Sequence, residues 1–288
     1  MEWSPRRKVV AFVVLTALLS SIFYALIIRG GGLGAGGGLY VMALMWCPGV
    51  AAILVRLISQ GNLRGMGWIP KGPAQLGLGY IIPVLYAAPV YLLVWGLGFG
   101  GFQAEHWGML AADFNLPQTP ASGLLVLATV GVAFSMITAT GEEIGWRGLL
   151  VPELSKFCGF GGTALISGVI WTLYHAPLLI FSDYNSGTSV WYGMACFSVM
   201  AIAISVVMAW LTLWSRSFWP AALMHASHNL FIQGVLDPAT VDRGITKWLT
   251  TEFGVGLAVT SVLAAAVAWR IAVRQGLGRP VSESEPLA

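Results

Sequence analysis

The sequence predicts an all-α, polytopic membrane bundle of about eight transmembrane helices, and three features of its 288 residues support this fold class. The chain is 57% hydrophobic and 9% charged, with a mean hydropathy of +0.78, whereas soluble domains carry about 25% charged residues. Its apolar residues form continuous runs of roughly 20 residues, the length of a membrane-spanning helix. These runs do not alternate in polarity, so helices are favoured over a β-barrel.

Eight such runs follow one another along the chain. They lie at residues 9–28, 38–58, 76–98, 122–140, 162–181, 190–213, 218–236 and 252–273. The first is longer than the apolar core of a signal peptide, which has about 7–15 residues, so we predict a retained span. The Gly-rich segment 30–38 is predicted to be a flexible outer loop and residues 280–288 a flexible tail. We therefore expect a single integral membrane domain over residues 1–288.

The distribution of basic residues predicts the orientation of the bundle. With eight spans and a cytoplasmic N-terminus, only Arg29, Arg243 and Lys247 of the 15 Lys and Arg residues fall outside. This is the asymmetry that the positive-inside rule expects, so both termini are predicted to be cytoplasmic. The net charge of +3 includes no basic stripe interleaved with aromatic residues, which argues against a nucleic-acid partner. The expected setting is a lipid bilayer, the cell membrane of a prokaryote.

Ionisable and amide side chains within the apolar runs cluster in the fourth, fifth and seventh runs. They are Glu142, Glu143, Arg147, His175, His225, His228 and Asn229. An unpaired charge in hydrocarbon costs several kcal/mol, so such residues face the bundle interior and find partners there. We expect the three runs to converge on one cavity, reached from the cytoplasmic side.

Spacing within each helix predicts which of these side chains share a face. Glu143 and Arg147 are four residues apart and can pair, which leaves Glu142, rotated by about 100°, free to point elsewhere. His225 and Asn229 are also four residues apart and are predicted to act together. His228 points partly away from them and is predicted to pack or to support its neighbours.

These residue types suggest hydrolysis of an amide bond. A glutamate in a low-dielectric pocket is a competent general base for water, and a nearby imidazole can orient that water. A second imidazole and a carboxamide can stabilise the oxyanion that forms when a carbonyl is attacked. A divalent metal such as zinc, held by Glu142, His175 and His225, is the competing account.

Three short motifs carry a resemblance to a known family. EEIGWR fits an EExxxR motif, His175 fits the histidine of an FxxxH motif, and HASHN fits an HxxxN motif. In this order they resemble the CAAX prenyl protease and bacteriocin-processing (CPBP, Abi or Rce1-like) intramembrane proteases. Trp171 stands where that family usually has phenylalanine, an exchange that alters the pocket wall.

The resemblance implies an eight-span intramembrane endopeptidase with a catalytic core at residues 122–236. Glu142 and His175 would activate water, and His225 and Asn229 would bind the oxyanion. Glu143 and Arg147 would hold the fourth helix in place, with Trp171 beside them. The resemblance leaves open whether a metal takes part. It also leaves open whether the substrate is a prenylated C-terminus, a bacteriocin leader or another membrane protein.

Other functions are less well supported by the sequence. There is no HExxH motif, no GxSG serine loop and no pair of aspartates within the runs, which argues against three other classes of intramembrane protease. A non-proteolytic immunity or binding factor would not need a base opposite an oxyanion site. A small transporter would more naturally show broken helices in two matching halves.

Overall fold

The computed structural model describes residues 3–277, apart from the side chains at positions 106, 110 and 111. The helices are α1 Pro5–Arg29, α2 Leu39–Gln60, α3 Pro73–Gly96, α4 Glu105–Ala111, α5 Pro120–Ser155, α6 Phe160–Phe181, α7 Val190–Ser215, α8 Trp219–Asn229, α9 Thr246–Leu249 and α10 Val255–Arg274. Short 3₁₀ turns lie at Ala35–Gly38 and Ala112–Phe114. The strands β1 Gly100–Phe102 and β2 Thr240–Asp242 form an antiparallel ribbon in which Gly101 pairs with Val241. The predicted tail at 280–288 lies outside the described residues.

Two helices contain π-turns near the predicted site. In α5 the α-helical segments Pro120–Val126, Val132–Gly145 and Val151–Ser155 are joined by π-turns at Leu127–Gly131 and Trp146–Leu150. α8 continues as a π-turn over Leu230–Leu236. Such turns shift the register of side chains along a helix and occur often at functional sites.

The prediction that the fourth span ends near residue 140 is wrong. α5 continues to Ser155, so Glu142 lies within the helix. At 1.5 Å per residue, Glu142 is about 20 Å from the Ser155 end rather than close to the membrane surface. The helix continues because its polar side chains have partners inside the bundle, so the fall in hydropathy does not mark a terminus.

Among the described residues, seven helices are long and apolar enough to cross a membrane, against the eight spans predicted. The remaining predicted span is the helix formed by α8 and its π-turn, whose apolar character is reduced by the side chains of His225, His228 and Asn229. This helix nevertheless runs through the bundle. Its start lies beside Trp68, whose carbonyl accepts a hydrogen bond from Trp219 (2.7 Å), and its far end lies beside Tyr91, which contacts Asp237.

The start of α1 and the end of α10 lie at the same end of the bundle. Arg6 stacks over the ring of Phe157, and the ring of the nearby Phe160 packs against Trp269 of α10. We call this the N-terminal end and the opposite one the far end. The side of the membrane that each end faces stays a prediction.

The centre of the bundle is α7. In its most apolar 18-residue window 72% of residues are buried, against 22% for α1, so α7 is surrounded by protein and α1 is at the periphery. α6 and α10 pack against α7, while α3 and α5 both pack against α8. This arrangement places α5, α6 and α8 around one interior space.

The Gly-rich segment at 30–38 joins α1 to α2 at the far end. Gly36 and Gly37 have φ of 62° and 63°, values that favour glycine. One point of the predicted flexible loop is held: the backbone N–H of Leu33 donates to Asp183 (2.9 Å). This hydrogen bond lowers the pKa of the exposed Asp183 carboxyl.

Candidate active site

A cavity of about 150 Å³ lies between α5, α6 and α8. Glu142, His175, His225 and Asn229 all line it. A bound water needs roughly 10–15 Å³ of such volume, so several waters fit. The structure therefore brings together the four side chains that the sequence nominated from three separate helices. Their catalytic roles remain predictions.

Glu142 is held by two indole groups. Its Oε2 atom accepts hydrogen bonds from Nε1 of Trp146 and Nε1 of Trp171, both at 2.9 Å, and the residue is 1% exposed. Among the described residues no Lys or Arg forms an ion pair with this carboxylate. Its other oxygen, Oε1, makes no hydrogen bond to the described residues and is left for a molecule in the cavity.

Close packing of α2 fixes the position of Glu142. A Cβ atom added to Gly141 would lie 2.7 Å from the ring of Trp46, and one added to Gly145 would lie 2.6 Å from Pro48. Small residues four apart let two helix backbones approach closely in a membrane protein. The two glycines that flank the glutamate pair therefore set the distance between α2 and α5.

Glu143 belongs to a different, fully packed network. Its Oε1 accepts from Arg147 and from Nδ1 of His225, each at 2.9 Å. Arg147 also donates to Ser205 (3.2 Å). The Glu143–Arg147 pair that the spacing suggested is thus present, and it includes one of the cavity histidines. The charge asymmetry predicts Arg147 on the cytoplasmic side, but the residue is buried within the bundle.

Trp171 connects the two glutamate environments. Its indole N–H donates to Glu142, while Arg147 lies 4.8 Å from the centre of its ring. The ring of His225 packs edge-on against it at 5.4 Å. Trp171 is therefore more than a pocket wall, because a phenylalanine here would have no N–H to give to Glu142.

Nδ1 of each cavity histidine faces a hydrogen-bond acceptor. Nδ1 of His175 lies 2.9 Å from the carbonyl oxygen of Trp171, which can only accept, so Nδ1 carries a hydrogen and Nε2 is free to accept one. Nδ1 of His225 likewise donates to the Glu143 carboxylate. To donate from Nε2, His225 must hold both protons, a form that the adjacent carboxylate stabilises.

The prediction that the cavity is reached from the cytoplasmic side does not fit the structure if the termini are cytoplasmic. The lining reaches Leu33, Val41 and Tyr184, which are half-buried at the far end of the bundle. The difference in depth follows from the position of Glu142, which is in mid-helix and not at the end that leads to Ser155.

A second buried carboxylate, Glu252, also lines the cavity and was missed. It accepts hydrogen bonds from His228 (2.7 Å), Tyr184 (3.0 Å) and Gln233 (2.9 Å). The supporting role predicted for His228 is therefore to bind this carboxylate. The available signal was the position of Glu252 as an acidic first residue of the last predicted apolar run.

The described side chains do not fit a zinc site. Among the residues described, no group of three or more His, Cys, Asp or Glu side chains is arranged to hold a metal ion. Zinc sites have three or four protein ligands, so no chemical step below is assigned to a metal.

Comparison with known proteins supports the motif resemblance. The family model described as type II CAAX prenyl endopeptidase Rce1-like matches residues 121–231. Through this segment the chain is similar to the Rce1-like family. The matched segment contains all four nominated cavity residues, whereas Glu252 lies beyond it.

A named relative of the Rce1-like segment is CAAX prenyl protease 2 of Methanococcus maripaludis. The two sequences are 26% identical over 158 residues. This match covers 52% of the present chain and 54% of the relative, so the chain spans about half the length of that protein.

Proposed function

We propose that this membrane protein is an endopeptidase that hydrolyses a peptide bond within its cavity, in the cell membrane of a prokaryote. The observation that carries the proposal is the environment of Glu142: a buried carboxylate with no cationic partner among the described residues, and with one oxygen left free in a cavity that holds two histidines and an amide. The Rce1-like family match supports a protease of the CAAX type.

In this proposal Glu142 is the general base. The two indole N–H groups fix Oε2, so Oε1 is the atom that accepts a proton from a cavity water. His175 accepts a hydrogen bond from the same water through Nε2, which orients it for attack. The proton held by Glu142 then passes to the departing amine, which completes the hydrolysis.

His225 and Asn229 are proposed to stabilise the oxyanion. The carboxamide of Asn229 makes no hydrogen bond to the described residues and lines the cavity, so its N–H groups are available. His225 donates from Nε2 when it is doubly protonated, and Glu143 balances that charge. Donors fixed before the reaction cost no reorganisation when negative charge develops.

The test compares the wild type with Glu142→Gln in proteoliposomes, on a panel of prenylated peptides and single-span membrane peptides. We expect Glu142→Gln to reduce cleavage at least 100-fold, within the range of about 10²–10⁴ for a general base. Glu105→Gln, the same chemical change at an exposed residue, serves as the control and should cleave normally.

Three outcomes would overturn the proposal. Equal cleavage by the wild type and a folded Glu142→Gln variant would show that Glu142 is not the base. One zinc per active chain, lost together with activity upon chelation, would replace the glutamate mechanism with a metal mechanism. Binding without cleavage across the whole panel would favour the non-proteolytic binding factor.

A further inference from the structure

Glu252 joins two walls of the cavity. The residue is 4% exposed, lines the same cavity as Glu142 and lies beyond the segment that matches the Rce1-like model. Its Oε1 atom accepts a hydrogen bond from Nε2 of His228 (2.7 Å), the residue before Asn229 on α8. Its Oε2 atom accepts one from the hydroxyl of Tyr184 (3.0 Å), in the loop between α6 and α7. One carboxylate therefore ties α8 to the segment that follows α6.

On the α6 side, this link reaches His175. The rings of Tyr184 and His175 pack at a centroid distance of 6.1 Å, and Phe197 packs against both, at 5.9 Å and 5.1 Å respectively. The hydrogen bond to Glu252 fixes the hydroxyl end of the Tyr184 ring. Because the carbonyl of Trp171 holds only Nδ1 of His175, these aromatic neighbours set the plane of the imidazole. A change at Glu252 is therefore passed to the ring that orients the water.

On the α8 side, the link reaches Asn229. His228 is bound at both ring nitrogens, by Glu252 at Nε2 and by Tyr86 at Nδ1. Gln233, in the π-turn that continues α8, also donates to Oε2 of Glu252 (2.9 Å). These hydrogen bonds hold the helix before and after Asn229, so the position of its backbone depends on Glu252.

The backbone that presents Glu252 is strained. Thr251 has a φ of 63°, which a β-branched residue rarely adopts. Its N–H donates to the hydroxyl of Tyr91 (3.0 Å), and its Oγ1 accepts from the N–H of Phe253 (3.1 Å). Strain of this kind persists where its surroundings enforce it, and it clusters at functional sites. It is an observation, independent of the carboxylate's own contacts, that points to a role for Glu252 in the reaction.

We propose that Glu252 is a positioning residue that holds His175 and Asn229 at the separation that hydrolysis requires. It acts on the first through Tyr184 and on the second through His228. This inference rests on the proposed peptidase function. A displacement of about 1 Å in a reacting group can lower a rate about 10²-fold, so loosening this link should act on kcat rather than on substrate binding.

The experiment measures kcat and KM separately, in proteoliposomes, on a peptide that the wild type cleaves. Glu252→Gln should lower kcat about tenfold and leave KM within about twofold. Tyr184→Phe keeps the ring, removes only the hydroxyl and should lower kcat about threefold. The double variant should fall no further than Glu252→Gln, because both changes break the same link.

Tyr192→Phe is the matched control. It removes a hydroxyl that donates to the carbonyl of Trp248 (2.6 Å), and Tyr192 is not among the cavity lining residues. Its kcat should equal that of the wild type. If Glu252→Gln does not fold, the milder Tyr184→Phe decides the matter against this control.

A second readout does not depend on cleavage. The imidazole nitrogen resonances of His175 report its ring environment, and they are assigned by their loss in His175→Gln. We expect them to shift in Glu252→Gln and in Tyr184→Phe, and to stay unchanged in Tyr192→Phe.

An unchanged kcat in folded Glu252→Gln or Tyr184→Phe would overturn the positioning role and leave the peptidase function in place. A higher KM at constant kcat would also overturn it, because Glu252 would then act in substrate binding. If the wild type cleaves no peptide, the peptidase function fails, and the His175 resonances alone decide whether Glu252 positions the imidazole.

Discussion

Helix α5 contains two regions in which a buried glutamate meets other polar groups, and they differ in how charge is balanced. Near its end, Glu153 pairs with Arg56 (2.9 Å) and Lys156 (2.8 Å) and is not among the cavity lining residues. In the middle, Glu142 has no cation among its described partners and faces the cavity. Both carboxylates are almost fully buried, so burial alone does not distinguish them.

The difference indicates what each glutamate contributes. A buried charge with its counter-ions in place stabilises a particular packing once the helices have assembled. A buried charge without a counter-ion lowers stability, and such groups occur mainly at functional sites. Glu143 combines features of both regions. It is ion-paired with Arg147, and it also holds His225 of the cavity.

The largest loss of stability is expected at the end of α5. Glu153→Gln leaves the buried Arg56 without its carboxylate, and breaking a buried pair costs about 3 kcal/mol or more. Unfolding in detergent, followed by circular dichroism, measures this. Activity per folded molecule should remain near the wild-type value, and a loss of activity in the folded fraction would contradict the contrast with Glu142.

Glu143→Gln should have the next largest effect on stability, together with a clear effect on catalysis. It breaks the buried pair with Arg147, at a cost of about 3 kcal/mol, and loosens the orientation of His225. We expect kcat to fall about tenfold. Ser205→Ala, which removes only the other hydrogen-bond acceptor of Arg147 among the described residues, is the control and should not change kcat.

Trp171→Phe should lower the free energy of unfolding by about 1 kcal/mol, because one hydrogen bond to Glu142 is lost while Trp146 still donates the other. Cleavage should fall less than tenfold. A double-mutant cycle with Trp146→Phe tests this, with each loss of kcat/KM expressed as a free energy. The loss in the double variant should exceed the sum of the losses in the two single variants. Simple additivity would mean that the two indoles do not position the same atom.

The smallest change in stability is expected for Glu142→Gln, within about 1 kcal/mol of the wild type. The glutamine oxygen can accept both indole N–H groups, and an unpaired buried charge is removed at the same time. The free energy of unfolding is measured as for Glu153→Gln. A loss as large as that of Glu153→Gln would assign Glu142 a structural role.

Much of this architecture follows from the sequence. Hydropathy located the membrane helices, and spacing by four residues identified the Glu143–Arg147 pair, because both depend on order within a single helix. The convergence of Glu142, His175 and His225 followed from the cost of leaving polar groups in lipid.

The remaining features depend on contacts between distant parts of the chain. The depth of Glu142 was misjudged because partners from α6 let α5 continue through a polar stretch. Glu252 was missed because its partners, Tyr184 and His228, come from other segments of the chain. Trp171 was predicted only to form part of the pocket wall, because the direction of its indole N–H depends on how α6 packs against α5.

A structure of the protein with an uncleavable peptide analogue tests the central claim most directly. The account predicts that the carbonyl oxygen at the scissile position lies about 2.7–3.1 Å from donors on His225 and Asn229, with the carbonyl carbon facing Glu142 across one water. A peptide bound outside the cavity, or one whose carbonyl points away from both donors, would contradict it.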